Sequence, residues 1–381
     1  VSLAQRRRTV DVVCRVVDNF GDAAVAWRLA RGLALDQGFR VRLLIDRLDV
    51  LKKLVPELCA LPHRLHAEGV DVEHCDPFSG EIAEIVLETF ACGLPAAMTE
   101  AMHKARTAWL NIEYLSAEQW VEGCHGLPSP RGSDLPTCYY FFPGFTARTG
   151  GILREPQLRS KRLAFQADPG AIAHFWARLC VLPPRQDELR VSFFVYPHGW
   201  PDDFFLVLAA ICDVRMHVLV AEGVMPEAVS RYCGSARAGS SASLGALTVT
   251  VLPFMSQSEF DRLLWSCDMN VVRGEDSFVR AQLSARPMLW DIYPQASDAH
   301  LVKLSAFLQR YTAAWPQDVA ALERDAALAL CRRDTGLAAT LMAWARAREA
   351  LAPCAQSWAE VLESLPELAQ GAGQFARKLL E

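Results

Sequence analysis

The sequence predicts an α/β protein of two Rossmann-like domains facing each other across a cleft, each a parallel sheet covered by helices. Three observations carry this. Short valine-rich runs without helical period alternate with alanine- and leucine-rich stretches, the pattern of parallel strands joined by crossover helices. The alternation halts at Leu182-Pro-Pro-Arg-Gln-Asp-Glu188, paired prolines followed by charge, and then restarts. The 381 residues suffice for two domains of ordinary size, each with its own core.

Thr9 to Val17 reads as a buried strand, Asp18-Asn-Phe-Gly-Asp22 as a turn, and Ala23 to Leu35 as a helix with Arg28 and Arg31 on its solvent face. Strands are expected at Arg40 to Asp46, Val70 to Glu73, Ile85 to Glu88 and Ala108 to Ile112. Leu127 to Gly151 turns to Pro, Gly, Ser and aromatics and reads as irregular, with Tyr139-Tyr-Phe-Phe142 packing beneath a long loop. Past the linker come strand Arg190 to Tyr196, helix Asp202 to Cys212, strands Met216 to Ala221 and Leu247 to Leu252, and helix Ser258 to Trp265. Ala236 to Gly245 reads as a mobile surface loop. Met288 to Ile292 and Ala299 to Tyr311 add a strand and a helix, and Pro316 to Glu381 is mostly helical. The expected division is therefore 1–181 as the first domain, 182–189 as linker, 190–355 as the second domain, and 356–381 as a helical tail.

Composition excludes several classes. A formal net charge of −5 argues against a general nucleic-acid binder while allowing a local acidic patch for a basic partner. Charges interrupt every long apolar run, so no membrane span is expected. Arg6-Arg7-Arg8 precedes an apolar stretch broken by Asp11 and Arg15, which is not a signal peptide pattern. The chain opens on Val1, which leaves N-terminal trimming open. Twelve cysteines are scattered without a Cys-x-x-Cys pair, as in a cytoplasmic protein with reduced thiols. His74-Cys75 and Cys124-His125 lack a second pair at zinc-like spacing, so no metal site is expected.

The stretch from Pro253 to His300 holds the densest chemistry. Met269 to Val272 is a short apolar strand, Arg273-Gly-Glu-Asp-Ser277 a tight turn, and a helical run follows from Phe278. Gly274 permits the turn, and amides opening a helix carry partial positive charge suited to phosphate oxygens. Two acids in such a turn have two readings. Either Asp276 or Ser277 is an N-cap with Glu275 in the first turn, or Glu275 takes sugar hydroxyls and leaves a diphosphate to the amides, Ser277 and Arg273. Local sequence does not choose.

The run Arg273-Gly-Glu-Asp-Ser-Phe-Val-Arg-Ala-Gln282, with Pro253-Phe-Met-Ser-Gln257, Phe260-Asp-Arg-Leu-Leu-Trp265 and Trp290-Asp-Ile-Tyr-Pro-Gln295, closely resembles the bacterial protein-arginine rhamnosyltransferases that modify elongation factor P, the EarP family. Cys14-Arg-Val-Val-Asp-Asn-Phe-Gly-Asp22, Asn111-Ile-Glu-Tyr-Leu-Ser116, Gly123-Cys-His-Gly-Leu-Pro-Ser-Pro130 and Phe141-Phe-Pro-Gly-Phe-Thr146 match the same family, so the resemblance spans most of the chain. Pro197-His-Gly-Trp200, after Tyr196, departs from it.

The resemblance implies the GT-B glycosyltransferase architecture, with the terminal helix crossing back to the first domain. It implies an inverting, metal-independent transfer of L-rhamnose from dTDP-β-L-rhamnose to an arginine of elongation factor P, with no further cofactor. Asp18 and Asp22 fall on the family's acceptor-side aspartates, Asp22 as general base, with Glu275 as a third catalytic acid. Donor contacts are expected from Tyr196, Phe254, Gln257, Phe260, Arg273, Glu275, Asp276, Ser277 and Tyr293. Phe254 and Phe260 would hold the thymine and Gln257 its edge. From the residues alone, Asp22 also reads as a helix cap and each Phe as core. Transfer to another acceptor, epimerisation of a nucleotide sugar, and a silent nucleotide-sugar sensor are the rival readings.

Overall fold

The computed structural model describes residues 7–60, 65–78, 80–131 and 135–381. Val1, Arg6 of the basic triplet and residues 132–134 lie outside the described residues. The chain divides into two compact units, Val1–Pro156 with Ser364–Glu381, and Gln157–Glu363.

The first unit holds β1 (Thr9–Cys14), β2 (Arg40–Ile45), β3 (His66–Ala67), β4 (Val70–His74), β5 (Ile85–Thr89), β6 (Ala108–Ile112), β7 (Pro128–Ser129) and β8 (Cys138–Phe141). They form one sheet in the order β3-β4-β2-β1-β5-β6-β8-β7. Its six longer strands are parallel, and in chain sequence they lie 3-2-1-4-5-6, the doubly wound order. β3 and β7 are antiparallel additions at the edges. Val10, Val12, Val13 and Cys14 of β1 are all buried, because helices cover both faces of such a sheet and leave a central strand no polar side.

The second unit holds β9 (Leu189–Phe193), β10 (Met216–Ala221), β11 (Ser241–Leu244), β12 (Leu247–Leu252), β13 (Met269–Arg273) and β14 (Met288–Asp291), in the order β11-β12-β10-β9-β13-β14. Its five parallel strands repeat the 3-2-1-4-5 winding. In both units the order reverses beside the first strand, between β1 and β5 and between β9 and β13. Ligands of open α/β sheets bind outside the carboxyl ends of the strands at that reversal.

Several expectations are corrected. The first unit ends at Pro156, not near Leu182, because Phe175, Trp176, Leu179 and Val181 share a core with Leu219, Leu252, Met255 and Leu263. Helices Leu158–Gln166 and Pro169–Arg178 thus belong to the second unit. Residues up to Glu363 stay with it too, since Trp358 packs on Phe307 and Tyr311 and donates to Gln282 Oε1 at 2.9 Å. The tail that joins the first unit begins at Ser364, where helix Leu368–Leu380 sinks Leu368, Ala369, Ala372 and Ala376 into the core of helix Asn19–Leu35.

Arg28 is buried rather than solvent-facing: it donates to Glu155 Oε1 at 3.0 Å, and Arg31 pairs with the same carboxylate. Tyr139-Tyr-Phe141 lies in β8, paired with β6, so it is sheet and not loop packing. Ser241–Leu244, inside the supposed mobile loop, is an edge strand paired with β12. Its order comes from the neighbouring backbone, which a run of Gly, Ser and Ala does not advertise.

Candidate active site

In the second unit the turn after β13 sits at the sheet reversal. Gly274 has φ 67, a conformation that strains any residue with a Cβ. It turns the chain from β13 into helix Asp276–Leu283, whose N-cap is Glu275. The capping reading is thereby reversed, with Glu275 at the cap and Asp276 in the first turn. The Glu275 side chain makes no capping hydrogen bond. Ser277 donates its hydroxyl to the Arg273 carbonyl, one turn back, so that proton is committed to the backbone. Asp276 is buried and accepts a long contact of 3.5 Å from Gln257 Nε2. This contact turns Gln257, also buried, toward the acid rather than outward.

The other donor candidates gather at the same strand ends. The Arg273 guanidinium lies 4.6 Å from the Phe194 ring centroid and 4.9 Å from that of Tyr196, so two aromatic faces just past β9 hold the cation beside the turn. Tyr293, past β14, is 62% exposed and meets Tyr196 edge-on at 5.2 Å. Phe254, past β12, is 48% exposed, whereas Phe260 packs edge-on against Phe194 at 5.4 Å and joins the partly buried rim of a core. Of the two phenylalanines, Phe254 is the more exposed, and Phe260 packs against a core. A polar turn and a stacked cation at the sheet reversal, with exposed aromatic residues just past β12 and β14, suit a ligand with a flat base and an anionic bridge.

In the first unit, Asp18 and Asp22 follow β1, again at the reversal. Asp18 is half-buried at the N-cap of helix Asn19–Leu35 and makes no capping bond with its side chain. Asp22 lies within the first turn and is 3% exposed. Its Oδ2 accepts the amides of Val17 and Asp18, each at 2.9 Å. The carboxylate therefore folds back to fasten the turn, and Oδ1 faces the Tyr114 hydroxyl, which donates at 3.3 Å. Tyr114 follows β6 and stacks on Phe90, which follows β5, at 4.1 Å and 12°. Beside it Glu113 accepts from Asn111 Nδ2 at 2.6 Å, and burial raises its pKa. Among the described residues no group of three or more His, Cys, Asp or Glu side chains is arranged to hold a metal ion.

The contact of Tyr114 with Asp22 is not foreseen from the sequence, although Tyr114 stands within one of the family motifs. Its position two residues beyond a strand end is the available signal. Asp291, an acid closing the apolar strand β14, carries a signal of the same kind and is missed with it.

Two Rossmann-like units in one chain are the build of the GT-B glycosyltransferases, and this chain is one of them. More narrowly, it belongs to the family described as Elongation-Factor P (EF-P) rhamnosyltransferase EarP, whose model matches residues 10–377. It is 47% identical over 313 residues to the protein-arginine rhamnosyltransferase of Pseudomonas putida, covering 80% of this chain and 82% of that one. With the enzyme of the same name from Pseudomonas aeruginosa it shares 43% over 322 residues, 81% of this chain and 83% of that one. A solved structure described as "Structural basis for EarP-mediated arginine glycosylation of translation elongation factor EF-P" matches with a TM-score of 0.67 and 31% identity, over 98% of this chain and 99% of the other.

Proposed function

We propose that the chain transfers L-rhamnose from dTDP-β-L-rhamnose to a guanidinium nitrogen of an arginine in EF-P, with inversion at the anomeric carbon. The observation that carries this reading is the gathering of Arg273 to Ser277, Phe194, Tyr196 and Tyr293 at the reversal of the second sheet. The diphosphate would lie against the amides opening helix Asp276–Leu283 and the Arg273 cation, the base on Phe254, and the sugar hydroxyls near Glu275 and Tyr293.

A guanidinium is a poor nucleophile, because its lone pairs are delocalised and its pKa lies above about 12. A carboxylate can grip the fork and take one proton as the nitrogen attacks. Asp18, the more accessible acid, binds the guanidinium in this reading, and Asp22, held in one orientation by two amides, accepts the proton. The new C–N bond forms as the anomeric C–O bond breaks, and its electron pair leaves on the diphosphate, which the amides stabilise. The reaction belongs to the cytoplasm, where translation factors and nucleotide sugars meet, and calls on no cofactor beyond the donor.

Incubating the protein with dTDP-β-L-rhamnose and EF-P and then weighing EF-P tests the reading. One added deoxyhexose, mapped to an arginine, is expected. An unchanged mass with binding of both ligands demonstrated would make the chain a sensor instead.

A further inference from the structure

Tyr196 reaches the donor side of the second unit from a segment, Tyr196-Pro-His-Gly-Trp200, that has no regular secondary structure. Something outside the segment must hold it. Asp291, the last residue of β14 and 1% exposed, accepts the Tyr196 amide at 2.7 Å. Both of its oxygens take Arg333 Nη2, at 2.9 and 2.8 Å. Arg333 comes from the C-terminus of helix Gln317–Arg332, more than a hundred residues away in sequence. Its Nη1 donates to the His198 carbonyl, and its guanidinium lies 4.7 Å from the Trp200 ring centroid. Trp200 closes the loop by donating Nε1 to the Tyr196 carbonyl at 2.8 Å. At Gly199, with φ 82, any residue with a Cβ would be strained, and that Cβ would stand in tight contact, 3.0 Å, with Arg333 Nη1.

From this we infer that Arg333 is a positioning residue for donor binding, acting through Asp291 and the 196–200 segment; the inference rests on the donor reading proposed above. One arginine meets one buried acid, one carbonyl and one ring, and all three connect to Tyr196. Tyr196 in turn is a wall of the Arg273 cation site. Loss of the Arg333 contacts releases the segment and with it the ring that flanks Arg273. The effect reaches the donor and spares the acceptor acids, which sit on the other unit.

The test compares wild type with Arg333→Lys, Arg333→Ala and Asp291→Asn, measuring thymidine diphosphate Kd, donor KM, EF-P KM, kcat and Tm. Arg333→Ala and Asp291→Asn are expected to raise donor KM and thymidine diphosphate Kd roughly tenfold or more, since small misplacements of binding groups carry losses of this size. EF-P KM should stay within about twofold, as expected for a group that does not touch the acceptor. Arg333→Lys keeps a cation against Asp291 without the planar fork; it should fall between, and it supplies the answer if the alanine variant does not fold. An unchanged donor KM and Kd alongside a lowered Tm would reduce Arg333 to a structural ion pair and overturn the inference. Failure of the wild type to bind thymidine diphosphate would instead remove the donor reading itself.

Discussion

Tyr114 donates its hydroxyl to Oδ1 of Asp22 at 3.3 Å, across 92 residues of sequence. The bond joins the ends of β1 and β6, and the Phe90 stack from the end of β5 keeps the phenol ring in place. Three strand ends thus fix one carboxylate. Asp22 Oδ2 is already committed to two amides, so Tyr114 decides how Oδ1 is presented.

Tyr114→Phe keeps the stack and deletes only the hydroxyl. At 3.3 Å the bond is long for an O–H donor, which puts its contribution near the low end of about 1–2 kcal/mol. kcat should therefore fall roughly three- to tenfold, with donor KM and Tm close to wild type. A kcat equal to wild type would remove Tyr114 from the reaction.

Asp22→Asn is nearly isosteric, and its amide oxygen can still accept both backbone N–H groups. The turn should survive while the proton acceptor is lost. Turnover should drop about 10²- to 10⁴-fold, the usual range for a general base, with thymidine diphosphate affinity unchanged by calorimetry. A large loss of nucleotide affinity would place Asp22 at the donor instead.

Phe254→Ala separates stacking from packing. The residue is 48% exposed, so removal of its ring should cost little in Tm. Nucleotide binding should weaken by about 1–3 kcal/mol if the ring stacks on the base. Normal affinity in the folded variant would leave Phe254 as a surface residue. The same change at Phe260, which packs on Phe194, should lower Tm.

Much of this architecture is legible in the sequence because parallel strands buried on both faces write themselves as apolar runs. Ala108–Ile112, Met216–Ala221, Leu247–Leu252 and Ala299–Tyr311 match the expected bounds. β11 and β8 do not announce themselves, since their pairing depends on a neighbour's backbone and their side chains are small, or flanked by turn formers. The candidate site divides in the same way. Asp18, Asp22 and Arg273 to Ser277 are readable as acids and glycine just beyond strands. The Arg333 to Asp291 pair is not, because a contact between a helix end and a strand end leaves no local pattern.

Glu323 offers a test of stability apart from the chemistry. It is fully buried in helix Gln317–Arg332, and burial pushes its pKa from 4.5 up to about 8, against the opposing hydrogen bond from Trp344 Nε1 to Oε2 at 2.7 Å. Its Oε1 has no partner among the described residues. Because the folded value lies above the unfolded one, the stability tied to the neutral acid is fully present below about pH 4.5 and is lost as pH rises through about 8. Glu323→Gln keeps an oxygen for Trp344 and cannot ionise. The urea midpoints of variant and wild type should be close near pH 4.5 and separate as pH rises to 8. The variant should end up more stable by on the order of a few kcal/mol, since each tenfold change in proton affinity between the folded and unfolded chain corresponds to about 1.4 kcal/mol. A difference independent of pH would mean that Glu323 is already ionised in the folded protein.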